Sequence, residues 1–532
     1  MAAAERKGVI YNRFGGLRLD LPIDEVGSEQ AIDLLDVDWT SFSSSLESRM
    51  GAELWSKSTS LYNQLYGCRL AGQTYLLSRR GSGIVALDTE GNEEVTAGQA
   101  GTSRLVFAPY GTPSAEYIYS GSGSSDTIKR FDGAAFTIPK VTLDGVAGKT
   151  GPKAQGLVTW PDGGNRLVVL GVSPSGNTGP GEVASSPSHV WFSEPGNAES
   201  YESTAYVQLS PGDAENIIDG CLWNGLVFIF KKTRIFVFYS VSTDEEGKPV
   251  FNYRTIETGG APVSTPAYWG GSCCVVAKDG VYFMTDEGLY LTTGSTPRKV
   301  SGQIDVLRLG TRFEGPAAET FEKTITAKSG DEITRQLRLD DATGIFIYRD
   351  RIYIPLYESS PVGGDPEPGH SLTLIYDTEH DAWLVWSGKV RSFGSISRGG
   401  SEEAQLFFSA FGGGIFRHAA DLTEDEHVEM DPRWQSGFDD MGLEDEKELV
   451  GSRLWGRGQV TLSGFKDFAS KPVFSDVLTL TPAQGETHAH KYSEKSQRGA
   501  FSGHRLQLTP GSRVDRLVRY LRGTRVPTAK SP

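Results

Sequence analysis

Apolar residues along the chain fall in short, almost unbroken runs rather than at helical spacing. Arg166 to Leu170 (RLVVL), Leu226 to Phe230 (LVFIF) and Val281 to Thr285 (VYFMT) are representative, and each is entered from an Asn or an Asp-Gly turn. Runs punctuated in this way are the signature of strands joined by tight turns. Helical signal is confined to two places. Ser28 can cap two turns reaching Leu35, with Ala31, Ile32 and Leu35 on one face, and Pro316 to Lys323 has room for two more.

The runs gather into seven clusters, opening near Tyr66, Leu105, Gly156, Ile217, Cys273, Gly344 and Val390. Equivalent points recur about every 35 to 60 residues, the range of four-stranded propeller blades. The fifth cluster shows the internal order most plainly. Asp279-Gly280 and Glu287-Gly288 read there as two hairpin turns whose central residues adopt positive φ. The chain is therefore expected to be all-β: a β-propeller of six to eight blades with an additional C-terminal antiparallel, sandwich-like β domain. Residues 1–60 form an N-terminal arm and short helix leading into the propeller, 61–426 the propeller, and 427–532 the C-terminal domain with a basic tail. The charged segment 307–340 reads as an insertion between blades. Gly-, Ser- and Pro-rich stretches at 173–187, 242–249 and 359–370 read as surface excursions.

Composition narrows the class. Sixty-four glycines in 532 residues are roughly 12%, against about 7% in an average protein, and aromatic content is 10%. No low-complexity tract is present, so disorder and collagen-like structure are excluded. No run approaches the roughly 18 apolar residues of a spanning helix, so no membrane insertion is expected. The start, Met1-Ala-Ala-Ala-Glu-Arg-Lys, lacks the apolar core of a signal peptide. Four cysteines, Cys68, Cys221, Cys273 and Cys274, are too few for a disulfide scaffold and fit buried thiols in a reducing cytoplasm. Cys273 and Cys274, adjacent in a strand, should point to opposite faces.

Charge adds one feature. The balance of 52 basic and 67 acidic residues gives −15, which argues against a general duplex-DNA binder. The tail runs the other way: from Arg498 to Arg525 seven arginines accompany a single acid, Asp515. Arg513, Arg516, Arg519, Arg522 and Arg525 are either solvated edge residues or a docking surface for an acidic neighbour.

No residue pattern nominates a catalytic, cofactor or metal residue. His488 and His490 form H-x-H without a third ligand nearby. Gly81-Ser82-Gly83 and Gly121-Ser122-Gly123 are followed by β-rich sequence, as hairpin turns are, not by the helix of a nucleophile elbow. Phosphate loops, EF-hand spacing and the sialidase Asp box are missing. Asp439-Asp440 reads as a turn cap. The chain is expected not to be an enzyme.

Several segments resemble bacteriophage tail proteins. The opening, FGGLRLDLPIDEVGSEQAIDLLDVDW, carries Gly15-Gly16-Leu17, Ala31 and Asp36-Val37-Asp38, and is followed by Leu46, Arg49 and Gly51. DGCLWNGLVFIFKKTRIFVF and KDGVYFMTDEGLYLTTGSTPRKVSGQI are similar to propeller blades of the same proteins, as is the strand YDTEHDAWLVW. WQSGFDDMG and RLWGRGQVTLSGFKDF, with RGAFSGHRLQL, resemble the β domain that follows. The shared order carries the resemblance, which is to the tail-nozzle (tail tubular protein B) class of short-tailed phages and to packaged-DNA stabilisation proteins of the same architecture.

The resemblance implies a structural virion protein, made in the bacterial host cytoplasm and located in the tail. Its implied partners are its own copies in a cyclic ring, a homohexamer; the phage portal and adaptor; tail fibres or spikes; and passing genomic DNA, bound without sequence specificity. It implies no cofactor. Two alternatives remain at this level. A receptor-binding or minor tail propeller would need exposed aromatics at loop tips, with Trp160 and Trp191 as candidates. A propeller glycosidase would need convergent carboxylates at the ring centre.

Overall fold

A computed structural model describes residues 6–523 apart from internal gaps, of which the longest are 98–103, 172–187, 264–270, 308–319, 358–370, 398–403, 437–446 and 483–488. Seven antiparallel sheets follow one another round an axis and form a seven-bladed β-propeller. Their innermost strands are Tyr62–Leu70, Val106–Gly111, Gly156–Trp160, Asp219–Trp223, Cys274–Val276, Phe346–Tyr348 and Val390–Ile396. The seven clusters of the sequence are the seven blades. The middle strands are buried on both faces: Arg166–Leu170, Val281–Thr285 and Gly288–Thr292 have no exposed residue. Neighbouring blades cover both sides of such a strand, so it reads as a continuous apolar run instead of alternating.

Three details depart from a plain ring. Blade three carries six strands, because the hairpin Lys140–Leu143 and Val146–Thr150 adds to its outer edge, with Lys140–Leu143 parallel to Asn197–Gln208. The hairpin Glu322–Thr326 and Glu332–Gln336 lies between blades five and six, within the expected insertion. Blade seven takes its outer strand from far upstream: Gly51–Leu54 pairs with Ile415–Ala419 and closes the circle.

The remaining strands form one eleven-stranded antiparallel sheet, nearly closed like a barrel around the long strand Lys447–Lys466. The N-terminal segment belongs to it. Arg6–Tyr11 pairs with Arg513–Gly523, Ala31–Leu35 with Arg433–Ser436, and Val37–Trp39 with Leu46–Ser48. The helix expected over Ser28 to Leu35 is therefore a strand. All five residues of Ala31–Leu35 are buried, Asp33 included, so pairing and burial on both faces override a pattern that also fits two helical turns. Glu322 and Lys323 likewise belong to a strand, while Thr320 and Phe321 are helical.

One hydrophobic core runs through blades five to seven and into this second sheet. It holds Tyr282, Leu374, Trp383, Trp386 and Phe408 together with Leu17, Leu34, Trp434, Val460 and Leu517. Propeller and barrel-like sheet thus share an interior.

The hairpin register in blade five differs by one residue from the expected one. Val276 pairs with Val281, and Ala277 N–H donates to Gly280 O, so Lys278 and Asp279 form the turn. Thr285 pairs with Gly288, leaving Asp286 and Glu287 in the second turn. Asp279 and Glu287 have ordinary negative φ; Gly288 follows its turn at φ 123°, and Gly280 lies at 157°, close to extended backbone. A Cβ on Gly288 would lie 2.0 Å from Ser301 Oγ, the hydroxyl that accepts from Leu289 N–H. Gly288→Ala is expected to cost about 2–3 kcal/mol in thermal or denaturant unfolding. Adding Ser301→Gly should recover only part of the loss, because the φ strain remains.

Candidate functional site: the propeller axis and the N-terminal seam

The seven inner strands leave a cavity of about 370 Å³ on the axis. Its charged lining consists of Arg104, Asp219 and Arg391. Arg104 lies two residues before the inner strand of blade two and reaches across to Asp219, the first inner-strand residue of blade four. Arg104 Nη2 lies 2.6 Å from Asp219 Oδ2, and its Nη1 donates to Ile218 O at 3.0 Å. Asp219 also accepts from Ser272 Oγ at 2.6 Å and Cys273 N–H at 3.0 Å, both at the entry of blade five. One carboxylate therefore ties three blades together.

Arg391 of blade seven donates from Nη1 to Asn63 Oδ1 of blade one at 2.6 Å, and its guanidinium stands 4.7 Å from the ring centre of Phe411. Burial lowers its pKa to about 10, which still leaves it protonated at neutral pH. Two guanidinium groups and one carboxylate suit a small anionic or carbonyl-rich guest. They do not make the two-carboxylate arrangement of a glycosidase, and among the described lining residues Asp219 is the only acid. A DNA duplex, with a major groove alone about 12 Å wide, does not fit such a cavity.

Sequence reading missed both axial arginines and Asp219. The available signal was an isolated charge at the entry of an apolar run, as in Arg104 before LVFAPY and Asp219 before GCLW.

The second site is the seam where the N-terminal segment meets blade six. Leu17 N–H donates to Trp383 O at 3.0 Å, and a Cβ on Gly16 would meet Trp383 N at 2.8 Å. Asp36, in left-handed conformation at φ 49°, accepts from Ser387 N–H at 2.7 Å and Ser387 Oγ at 2.6 Å. Arg49, 2% exposed, bridges Asp36 at 2.7 Å and Asp425 at 2.6 Å and sits 5.7 Å from the Trp386 ring centre. Asp38 pairs with Arg351 at 2.7 Å, and Arg351 holds Asp377 at 3.1 Å. His380 Nδ1 meets the other Asp377 oxygen at 2.9 Å.

Beside this chain of charges lies a cavity of about 390 Å³, lined in part by Asp38, Trp39, Glu47, Asp377 and His380. Burial raises the Glu47 pKa, and the Asp38 charge raises it further. A carboxyl that holds its proton more tightly in the fold weakens the fold once ionised. The penalty is absent below the unfolded carboxyl pKa of about 4.3 and complete above the raised folded value. Glu47→Gln is therefore expected to raise the unfolding temperature at pH 7, with the gain vanishing as pH falls to about 4.

The basic tail does not present one face. Arg513 pairs with Asp515 at 2.5 Å and donates to Ser45 Oγ at 3.2 Å. The Arg516 guanidinium lies 5.1 Å from the Trp455 ring centre. Arg519 is 1% exposed, next to buried His504, and so is not a docking residue: its side chain belongs to the sheet interior. Burial and the Arg519 charge hold His504 neutral. Arg522 lies in the strand opposite Arg6 and Glu448, and Arg525 falls outside the described residues.

Trp160 and Trp191 are fully buried in blade three, so neither is an exposed loop-tip aromatic. Gly81 and Ser82 form the expected hairpin turn between Arg80 and Gly83. His488 and Asp439-Asp440 lie outside the described residues.

The cysteine geometry also differs from expectation. Cys273 sits at a bend just before the strand Cys274–Val276, where pleat alternation does not operate. Its Sγ, that of Cys274 and a carboxylate oxygen of Asp219 lie within 4.8 Å of one another. Hydrogen bonds from Cys221 and Cys273 bring the Cys274 thiol down to about 7, while those two thiols are pushed up.

No protein-family model and no curated protein matches the chain. Solved structures that align with it include BBS1N in complex with ARL6DN, at 9% identity and TM-score 0.34, covering 70% of this chain and 97% of that one. The dihydro-heme d1 dehydrogenase NirN aligns at 10% identity and TM-score 0.34, covering 72% and 66%. A puromycin hydrolase mutant aligns at 12% and 0.33, covering 68% of this chain and 53% of the hydrolase. At these values the likenesses carry no argument about function.

Proposed function

We propose that this chain is a structural subunit of a phage tail nozzle. In this reading six copies form a ring below the portal and adaptor, retain packaged DNA, conduct it during ejection and carry fibres or spikes outside. The observation that supports it most is the seam. The motifs that carry the family resemblance are far apart in sequence, yet Gly16-Leu17, Asp36, Asp38, Arg49 and the YDTEHDAWLVW strand lie in mutual contact. Their charges hold elements together: Arg49 bridges Asp36 and Asp425, and Arg351 bridges Asp38 and Asp377. They are the residues of a rigid building block.

Two further points favour this reading. Radial repetition makes a stiff wedge, and wedges close into cyclic rings through heterologous contacts. The axis of each propeller is narrow and bridged by Arg104 and Asp219, so DNA passes between copies, along a lumen lined by an acidic protein that does not trap it. The remaining tail arginines, Arg513, Arg516, Arg522 and Arg525, are the proposed contacts to an acidic neighbour.

The experiment is reconstitution: the full chain is added to the portal–adaptor complex of the same phage and imaged by negative stain. A closed six-copy ring below the adaptor is expected. A chain that stays unbound while binding glycans would overturn the reading.

A further inference from the structure

The inner strands of blades four and five bring two thiols and a carboxylate to one point beside the axis, with a third thiol on the neighbouring strand. Cys221 lies on Asp219–Trp223, and Cys273 and Cys274 lie at the entry of blade five. The Cys273, Cys274 and Asp219 ligand atoms lie within 4.8 Å of one another, and Cys221 packs against the same apolar cluster as Cys273 and Cys274. Cys273 and Cys274 are buried and Cys221 is half-buried. The only other cysteine, Cys68, is on blade one.

We propose that Cys221, Cys273, Cys274 and Asp219 form a structural site for a thiophilic divalent cation, Zn²⁺ by its chemistry. Three sulfurs and one oxygen complete a tetrahedron, the coordination of closed structural zinc sites. Bonds of about 2.3 Å place neighbouring thiolates about 3.8 Å apart, so Cys273, Cys274 and Asp219 need a contraction of about 1 Å at most, while Cys221, outside that cluster, has to move in further. The carboxylate is already oriented for the purpose. Ser272 Oγ at 2.6 Å, Cys273 N–H at 3.0 Å and Arg104 at 2.6 Å fix Asp219, as outer partners do around metal ligands.

Binding expels the thiol protons to solvent, and Zn²⁺ and Arg104 then face three thiolates and Asp219, which leaves one net negative charge against none in the metal-free state. Calcium and magnesium, which take oxygen ligands, do not fit this donor set. The axial cavity, lined by Asp219 and Ser272, supplies the route in. The bound ion would clamp the inner strands of blades four and five.

The test uses the purified full chain, reduced and stripped with chelator, then titrated with Co²⁺ and Zn²⁺. One ion per chain is expected, with a thiolate-to-Co²⁺ charge-transfer band that Zn²⁺ bleaches. Zn²⁺ should raise the unfolding temperature and protect all thiols except Cys68 from a thiol reagent. Cys221→Ser, at the half-buried position, should fold and bind at least about tenfold more weakly. A His488→Ala, His490→Ala variant should bind as the parent does. No charge-transfer band, affinity unchanged in Cys221→Ser, or binding lost in the histidine variant would each overturn the proposal.

Discussion

Replacing Arg49 with methionine is expected to cost about 3–5 kcal/mol of stability, the loss typical of removing one partner from a buried ion pair. Arg49 is 2% exposed and lies between two carboxylates, Asp36 at 2.7 Å and Asp425 at 2.6 Å. Methionine fills much of the same space and leaves both acids buried beside each other without their cation. The effect should be non-local, because Asp36 also holds Ser387 of blade six and Asp431 N–H at the entry of the second sheet. A double variant, Arg49→Met with Asp36→Asn, should recover part of the loss, since it removes one of the stranded charges. Denaturant unfolding of the three proteins measures both effects. An Arg49→Met protein within 1 kcal/mol of the parent would show that the seam is not what joins the two units.

The second large effect is expected from deletion of residues 1–54, which removes the closing strand. Gly51–Leu54 supplies four backbone partners to Ile415–Ala419, the Arg417–Glu53 ion pair, and the Leu54 N–H that donates to Glu426 at 2.8 Å. Without it blade seven presents an open edge and exposes Phe416, now 8% exposed, to water. The same deletion strips Ala31–Leu35, Val37–Trp39 and Leu46–Ser48 from the second sheet. The product should be insoluble or lack cooperative unfolding. Deleting only residues 1–11 removes a single outer strand and should leave cooperative unfolding intact. Solubility and calorimetry of the two truncations separate these outcomes.

The blades were legible because strands sandwiched between neighbours are apolar on both faces, and that leaves continuous runs in the sequence. The closure was not. GAEL at 51–54 has little apolar character and pairs with a strand more than 350 residues away, so no local pattern marks it. AIDLL at 31–35 is ambiguous because its apolar positions fit one helical face and also a strand buried on both sides, where Arg433 supplies the partner of buried Asp33 at 2.9 Å. The hairpin register slipped because Asp-Gly can occupy the centre of a turn or its exit. Of the site, the seam residues were visible through the family resemblance, but their pairing was not. The axial Arg104–Asp219 bridge and the thiol cluster join residues of different blades, which a single sequence does not connect. Arg519 is the converse case: a charge that reads as surface and is buried in the sheet interior.

The proposed place of this chain is the virion tail. It is tested most directly by negative-stain microscopy of purified phage particles labelled with an antibody to this chain. Label at the distal tip of a short tail, on every particle and below the portal–adaptor ring, is the predicted result. Label on peripheral fibres, or particles without label, would contradict it.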